Sequence, residues 1–192
     1  SNLIYSTIRD FYEAENIPMP GIRLIQDDHI PMTRGLGSSA ACIVGGLIAA
    51  NILSGKNYSK EELAQKAAKL EGHPDNSNPA IFGDMIISAM YSEGMKYVKL
   101  NVPKNILFAV MIPEFTLSTK KARAVLPDSY TRSQSIFNSS RTGLMVASMM
   151  TGNLDNLRVA MDDAIHQPYR KSLIRDYDEV FEAARANGSI AE

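Results

Sequence analysis

The segment PMTRGLGSSAA, residues 31 to 41, constrains this chain most, because two glycines and two serines run directly into an apolar stretch that continues to Leu53. Glycine lets a backbone turn tightly and approach a ligand with no Cβ in the way. The first turn of a helix carries N–H groups that lack an intrahelical acceptor. An anion placed there gains several backbone hydrogen bonds and the favourable end of the helix dipole, the latter worth about 0.3–1 kcal/mol for an exposed charge. Ser38 and Ser39 can add a hydroxyl donor or a metal ligand. The same spacing also fits a plain glycine turn closed by a serine N-cap.

Two other phosphate loops compete for these residues. A Walker A loop ends in Gly-Lys-Ser or Gly-Lys-Thr, and the chain has no lysine before Lys56. Gly35, Gly37 and Ala40 do satisfy GxGxxA, the dinucleotide fingerprint. That fingerprint needs a strand ending at the first glycine and a second strand after the helix. Here SGKNYSKEELAQKAAKL passes from a turn straight into another helix, so the dinucleotide fold is disfavoured.

Periodicity supplies the surroundings. Leu3, Ile4, Ile8, Phe11 and Tyr12 recur at helical spacing, predicting a helix over residues 3 to 15 that Asn16, Pro18 and Pro20 stop. Residues 21 to 26 read as a strand and 38 to 53 as a helix buried on most sides. Ser59 and Glu62 form a capping-box pattern that opens a helix over 60 to 70. The polar EGHPDNSNPA stretch, 71 to 80, reads as a loop because of Pro74 and Pro79. Strands are expected at 85 to 90, 95 to 100 and 106 to 111, and helices at 118 to 125, 131 to 150, 154 to 165 and 176 to 187. A boundary near residue 100 separates a mainly helical part from an α+β part.

Composition excludes some function classes. With 20 basic and 21 acidic residues, the net charge of -1 favours neither nucleic acid nor an anionic membrane. The longest apolar stretch, from Ala40 to Leu53, is too short to span a bilayer. The single Cys42 cannot pair within the chain and fits a core position in a reducing, cytoplasmic setting. His29, His73 and His166 have no compact zinc spacing.

Pro31 with Gly35, Leu36, Gly37, Ser38, Ser39, Ala40 and Ala41 matches PxxxGLGSSAA, the motif of the GHMP kinases, the superfamily of galactokinase, homoserine kinase, mevalonate kinase and phosphomevalonate kinase. The resemblance implies that this loop, with Arg34 inside it, wraps the phosphates of ATP. The segment Glu71-Gly72-His73-Pro74-Asp75-Asn76, followed by Pro79-Ala80 and Phe82-Gly83, resembles the homoserine kinases among them. Members commonly carry Val-Ala-Pro after the Asn and a second Gly after Phe-Gly; this chain has Ser77-Asn78-Pro79 and Asp84. Thr119, Arg123 and Leu126-Pro127 resemble the family's TxxxR…LP segment, and His166-Gln167-Pro168-Tyr169-Arg170 its HQPYR segment.

On that resemblance ATP and Mg2+ are the expected cofactors and L-homoserine the expected substrate. Glu71 and Ser39 would hold the metal, since Mg2+ takes oxygen ligands. Arg123 and Arg170 would clamp the substrate carboxylate, a task that suits the planar fork of guanidinium. His73 and Asn76 would lie nearby, and Thr119 close to the reacting hydroxyl. Without the family, Asp75-Asn76 reads as an Asx-type turn, each arginine as a surface charge and His166 as a capping or core residue. Asp75 is assigned to loop geometry rather than to proton abstraction.

The implied architecture is the α+β GHMP kinase fold. Residues 1 to 100 would form the ATP-binding, ribosomal protein S5 domain 2-like part without its first strands, and 101 to 192 an incomplete ferredoxin-like part. The chain is thus expected to be a fragment, with activity of the isolated 192 residues in doubt. Homodimers are common in the family, which leaves a homodimer open here.

Overall fold

The computed structural model describes residues 2 to 192, with the side chains of Thr119 and Lys120 outside the described set. The chain divides into two compact units, Ser1–Asn101 and Val102–Glu192.

In the first unit, α1 (Leu3–Ala14) begins where the Asn2 side chain accepts from the Tyr5 amide at 3.1 Å. It buries Ile8, Phe11 and Tyr12 against Ile43, Val44, Leu47 and Ala50 of α2 (Ser38–Ser54), with Leu63 and Ala67 of α3 (Lys60–Glu71) completing the core. Gly46 sets the α1–α2 approach: a Cβ there would lie 2.8 Å from Thr7 Cβ and 3.0 Å from the Ile4 carbonyl oxygen. A capping box between Ser59 and Glu62 opens α3, as the sequence pattern predicts. Three donors then converge on Glu15 beyond the end of α1: Tyr58 Oη at 2.7 Å, Lys66 Nζ at 2.9 Å and Lys56 Nζ at 3.1 Å. They pull the Glu15 carboxyl down to about 2, the Lys66 bond being the largest cause and the Tyr58 bond the next. This latch ties the ends of α1 and α2 to α3, so the base of α2 is held while its N-terminus stays open.

Short helix α4 (Ser77–Phe82) leads into an antiparallel hairpin, β1 (Met85–Tyr91) and β2 (Gly94–Leu100), with Met85 opposite Leu100 and Tyr91 opposite Gly94. An isolated hairpin is marginal in water. This one packs Met95 against Ala64 and Ala68 of α3, and Tyr97 stacks on Phe82 at 4.5 Å between ring centroids.

The second unit holds α5 (Thr119–Ala124), the long α6 (Arg132–Thr151), short helices α7 (Leu157–Ala160) and α8 (Gln167–Arg170), and α9 (Tyr177–Ala186). Thr131 and Gln134 form a capping box at the start of α6. Met149, Leu157 and Ala160 are buried.

Several expectations are corrected. Residues 21 to 26 and 106 to 111 are not strands: neither has a paired neighbour among the described residues, and a strand exists only where its amides and carbonyls find a ladder. Leu107 consequently remains 95% exposed. The stretch 71 to 80 is not all loop, because Pro79 occupies the third position of α4, where a missing N–H costs no helical bond. The helix expected over 154 to 165 breaks into a 3-10 turn at Leu154–Asn156 and the four residues of α7. Beyond it the Asp163 side chain captures backbone amides that would otherwise extend a helix.

Candidate active site

Helix α2 is apolar on all sides, so its position is fixed by burial rather than by an amphipathic stripe. Its N-terminus is not capped by a serine. The N-cap is Gly37, left-handed at φ 73 and ψ 19, and no side chain closes it. The first helical hydrogen bond runs from Ala41 N–H to the Gly37 carbonyl at 3.0 Å. The N–H groups of Ser38, Ser39 and Ala40 therefore precede the helical ladder and carry the positive end of the dipole. Gly35 is also left-handed at φ 73, as is Thr33 at φ 56, so the segment from Thr33 to Gly37 coils tightly. Pro31, Leu36 and Ser39 are exposed, Ser38 and Arg34 half-buried, and Ala40 is buried beneath the loop.

The second loop meets the first. A Cβ on Gly37 would lie 3.4 Å from Asn76 Oδ1, so the GLGSSAA and EGHPDN segments are neighbours. Gly72, left-handed at φ 79, ends α3 directly after Glu71. His73 Nδ1 meets Asp75 Oδ1, and Asp75 itself faces solvent. Below them Ser77 and Asn78 are fully buried. Asn78 Nδ2 donates to Ser88 Oγ and contacts Met95 Sδ, both at 2.7 Å, which fastens α4 to the hairpin.

Glu71 is the half-buried acid of this region. Burial pushes its carboxyl above the ordinary range, with the Ser77 hydroxyl the largest opposing influence, followed by His73. Its Oε2 is buried and completes no aligned hydrogen bond. A carboxylate oxygen left this way is suited to a hard cation, and Mg2+ bound with phosphates needs only one or two protein ligands. The described residues contain no group of three or more acidic, His or Cys side chains arranged for a metal.

In the second unit, Arg170 Nε donates to the Ala122 carbonyl at 3.0 Å, which puts its guanidinium against the backbone of α5. Arg123 is exposed and Arg170 half-buried. The Thr119 backbone opens α5 behind a Ser118 cap, and its side chain lies outside the described residues. His166 is half-exposed at the start of α8.

Residues 2 to 84 match the model described as the GHMP kinases N terminal domain. Over its whole length the chain is 45% identical to a homoserine kinase of Clostridium novyi and 42% identical to one of Clostridium kluyveri. It covers 64% of each of those relatives. The crystal structure of homoserine kinase from Cytophaga hutchinsonii superposes with a TM-score of 0.80 at 27% identity, covering 99% of this chain and 62% of that one. A putative homoserine kinase from Listeria monocytogenes gives 0.77 at 28% identity, with coverages of 99% and 63%. Residues 2 to 84 thus carry a GHMP kinase N-terminal domain, and the chain is similar along its whole length to homoserine kinases.

The sequence pattern located the glycine loop and the acidic loop but not what lies between and behind them. Ser77 and Asn78 were visible only as departures from the family's apolar pair, although two polar residues ahead of a proline at a helix start are themselves a signal for buried ties. No helix among the described residues is long and apolar enough to cross a membrane.

Proposed function

We propose that the full-length polypeptide carrying this chain is an ATP-dependent homoserine kinase, which transfers the γ-phosphoryl group to the side-chain hydroxyl of L-homoserine and releases O-phospho-L-homoserine and ADP, a step of threonine biosynthesis. The observation that carries the reading is the uncapped N-terminus of α2, with three amides ahead of the helical ladder and Asn76 beside Gly37. The name borne by the relatives at 42–45% identity supports the substrate.

In this reading the amides of residues 38 to 40, with the Ser38 and Ser39 hydroxyls, hold the β- and γ-phosphates, and Pro31, Arg34, Leu36 and Ala41 shape the loop around them. Glu71 and Ser39 hold Mg2+, which when bound neutralises phosphate charge. Arg123 and Arg170 grip the homoserine carboxylate. With Nε committed to Ala122, Arg170 has its terminal amino groups to offer, a geometry suited to a carboxylate. His73 and Asn76 are assigned to substrate binding, and Thr119 to the reacting hydroxyl. The oxygen of that hydroxyl forms the new bond to phosphorus as the bond to the ADP oxygen breaks, and its proton is released. Phosphoryl transfer rests mainly on alignment and charge neutralisation, so no strong base is required. Asp75, solvent-facing and paired with His73, serves the loop's shape.

The finer architecture belongs to the same reading: residues 1 to 100 as the ribosomal protein S5 domain 2-like ATP-binding part, and 101 to 192 as part of a ferredoxin-like domain. A homodimer is the assembly to test by sedimentation. The functional test is ADP release by the full-length gene product with L-homoserine, mevalonate or galactose. Turnover with homoserine at least about 100-fold above the others is expected; preference for mevalonate or galactose would move the protein to another branch of the superfamily.

A further inference from the structure

The turn that presents Arg170 is too short to hold itself. Helix α8 has four residues, and helix nucleation is unfavourable without outside help. The residue at its N-cap, His166, contributes no side-chain cap. The help comes from Asp163. Its Oδ1 accepts from Ile165 N–H at 3.1 Å and from Asn138 Nδ2 at 2.5 Å, and its Oδ2 accepts from the N–H groups of His166 and Gln167, both at 2.5 Å. Asn138 Oδ1 takes the remaining amide of the run, Ala164 N–H, at 2.8 Å. Four successive amides thus close on two side chains, one of them anchored in α6. Two further bonds fix the same turn from the start of α6: Tyr130 Oη to the Ile165 carbonyl at 3.0 Å, and Gln134 Nε2 to Tyr169 Oη at 3.2 Å. At the far end of the turn Arg170 reaches the Ala122 carbonyl.

We propose that Asp163 is a positioning residue for substrate binding: by gathering the amides of residues 165 to 167 it sets the α8 turn so that Arg170 faces the Arg123 end of α5. The inference rests on the reading above that these arginines hold the homoserine carboxylate. The Asp163 side chain is only 14% exposed, and a carboxylate so enclosed keeps its charge because its acceptors are fully used. In agreement, its carboxyl is held down at about 2: burial opposes ionisation, and the Asn138 and backbone bonds outweigh it. Asp163 touches neither substrate nor nucleotide in this scheme. Its effect passes through Arg170 alone, which separates it from a residue that merely stabilises the unit.

The test uses the full-length gene product with Asp163→Ala, Asp163→Asn, Arg170→Ala and the double variant Asp163→Ala/Arg170→Ala. Asp163→Ala should raise the KM for homoserine at least tenfold with the KM for ATP within twofold of the parent. Asp163→Asn, which keeps one acceptor oxygen, should recover part of that loss. In the Arg170→Ala background, removal of Asp163 should add less than about threefold, because the group it positions is already gone. If Arg170→Ala raises the homoserine KM while Asp163→Ala does not, or if the two effects multiply, the positioning role is overturned and the clamp stands. If Arg170→Ala leaves the homoserine KM unchanged, the clamp itself fails, and the role of Asp163 falls with it. Should Asp163→Ala not fold, Asp163→Asn carries the comparison: a homoserine KM at least threefold above the parent supports the proposal, and an unchanged one refutes it.

Discussion

Gly37→Ala is the substitution whose consequence follows most directly from the backbone. Gly37 sits at φ 73, ψ 19, immediately before the first helical residue of α2. An L side chain in that region costs about 1–2 kcal/mol. The new Cβ would lie 3.4 Å from Asn76 Oδ1, an ordinary contact, so the cost comes from the backbone rather than from a clash. If the residue stays left-handed, that cost is taken from folding stability. If the loop relaxes instead, the amides of Ser38 to Ala40 rotate away from the anion and the cost appears as lost nucleotide affinity, about 5- to 30-fold. Both can be measured on one preparation, by urea denaturation and by ATP titration. Gly35→Ala has the same φ and open space around its Cβ, so it should show a similar backbone cost; Gly21→Ala, with no left-handed requirement and nothing within 4 Å, should be silent in both assays. The reasoning is refuted if Gly37→Ala matches the parent within about 0.3 kcal/mol in stability and within twofold in ATP affinity.

Glu15→Gln should destabilise the first unit by about 1–2 kcal/mol at neutral pH, less than its full pKa displacement implies because both partner lysines are about a third exposed and screened. Since the folded Glu15 carboxyl lies at about 2 against an ordinary 4.5, its contribution is present above 4.5 and fades as pH falls toward 2. Melting curves of parent and variant should therefore converge at low pH; a constant gap would contradict the latch. Gly46→Ala should cost about 1–3 kcal/mol despite alanine's better helix propensity, because α1 must move off Thr7 and Ile4, and a rise in Tm would show the helices are not this close. Glu71→Gln should weaken divalent-cation binding to the nucleotide complex on the order of tenfold, equivalent to about 1.4 kcal/mol, read as loss of bound Mn2+ by electron paramagnetic resonance. Unchanged Mn2+ binding would remove Glu71 from the metal site.

The helices that proved legible were those with a local cause. Leu3 to Tyr12 carry a 3.6-residue period, and Ser59 with Glu62 form a reciprocal cap, so α1 and α3 need no distant partner to be read. The β1–β2 hairpin was legible for the same reason, its strands being close in sequence and joined by the two-residue turn ahead of Gly94. What escaped depended on distance. Residues 21 to 26 and 106 to 111 have the composition of strands, but a strand requires a neighbour, and composition does not say whether one is at hand. Asp163 and Asn138 bond to each other and to backbone amides across 25 residues, which leaves no periodic trace. At the glycine loop the segment was legible but its cap was not: the serine expected at the N-cap is the first helical residue, and Gly37 takes the cap because the turn needs a left-handed backbone there. That shift leaves the helix end without a side-chain acceptor.

Amide hydrogen exchange at Ser38, Ser39 and Ala40, followed in the full-length protein while MgATP is added, tests the phosphate cradle most directly. The account predicts that these three amides become protected by ATP and ADP but not by adenosine, since the polyphosphate supplies the missing acceptors. Saturation with ATP that leaves all three exchanging as in the free protein would mean that the nucleotide's phosphates sit elsewhere.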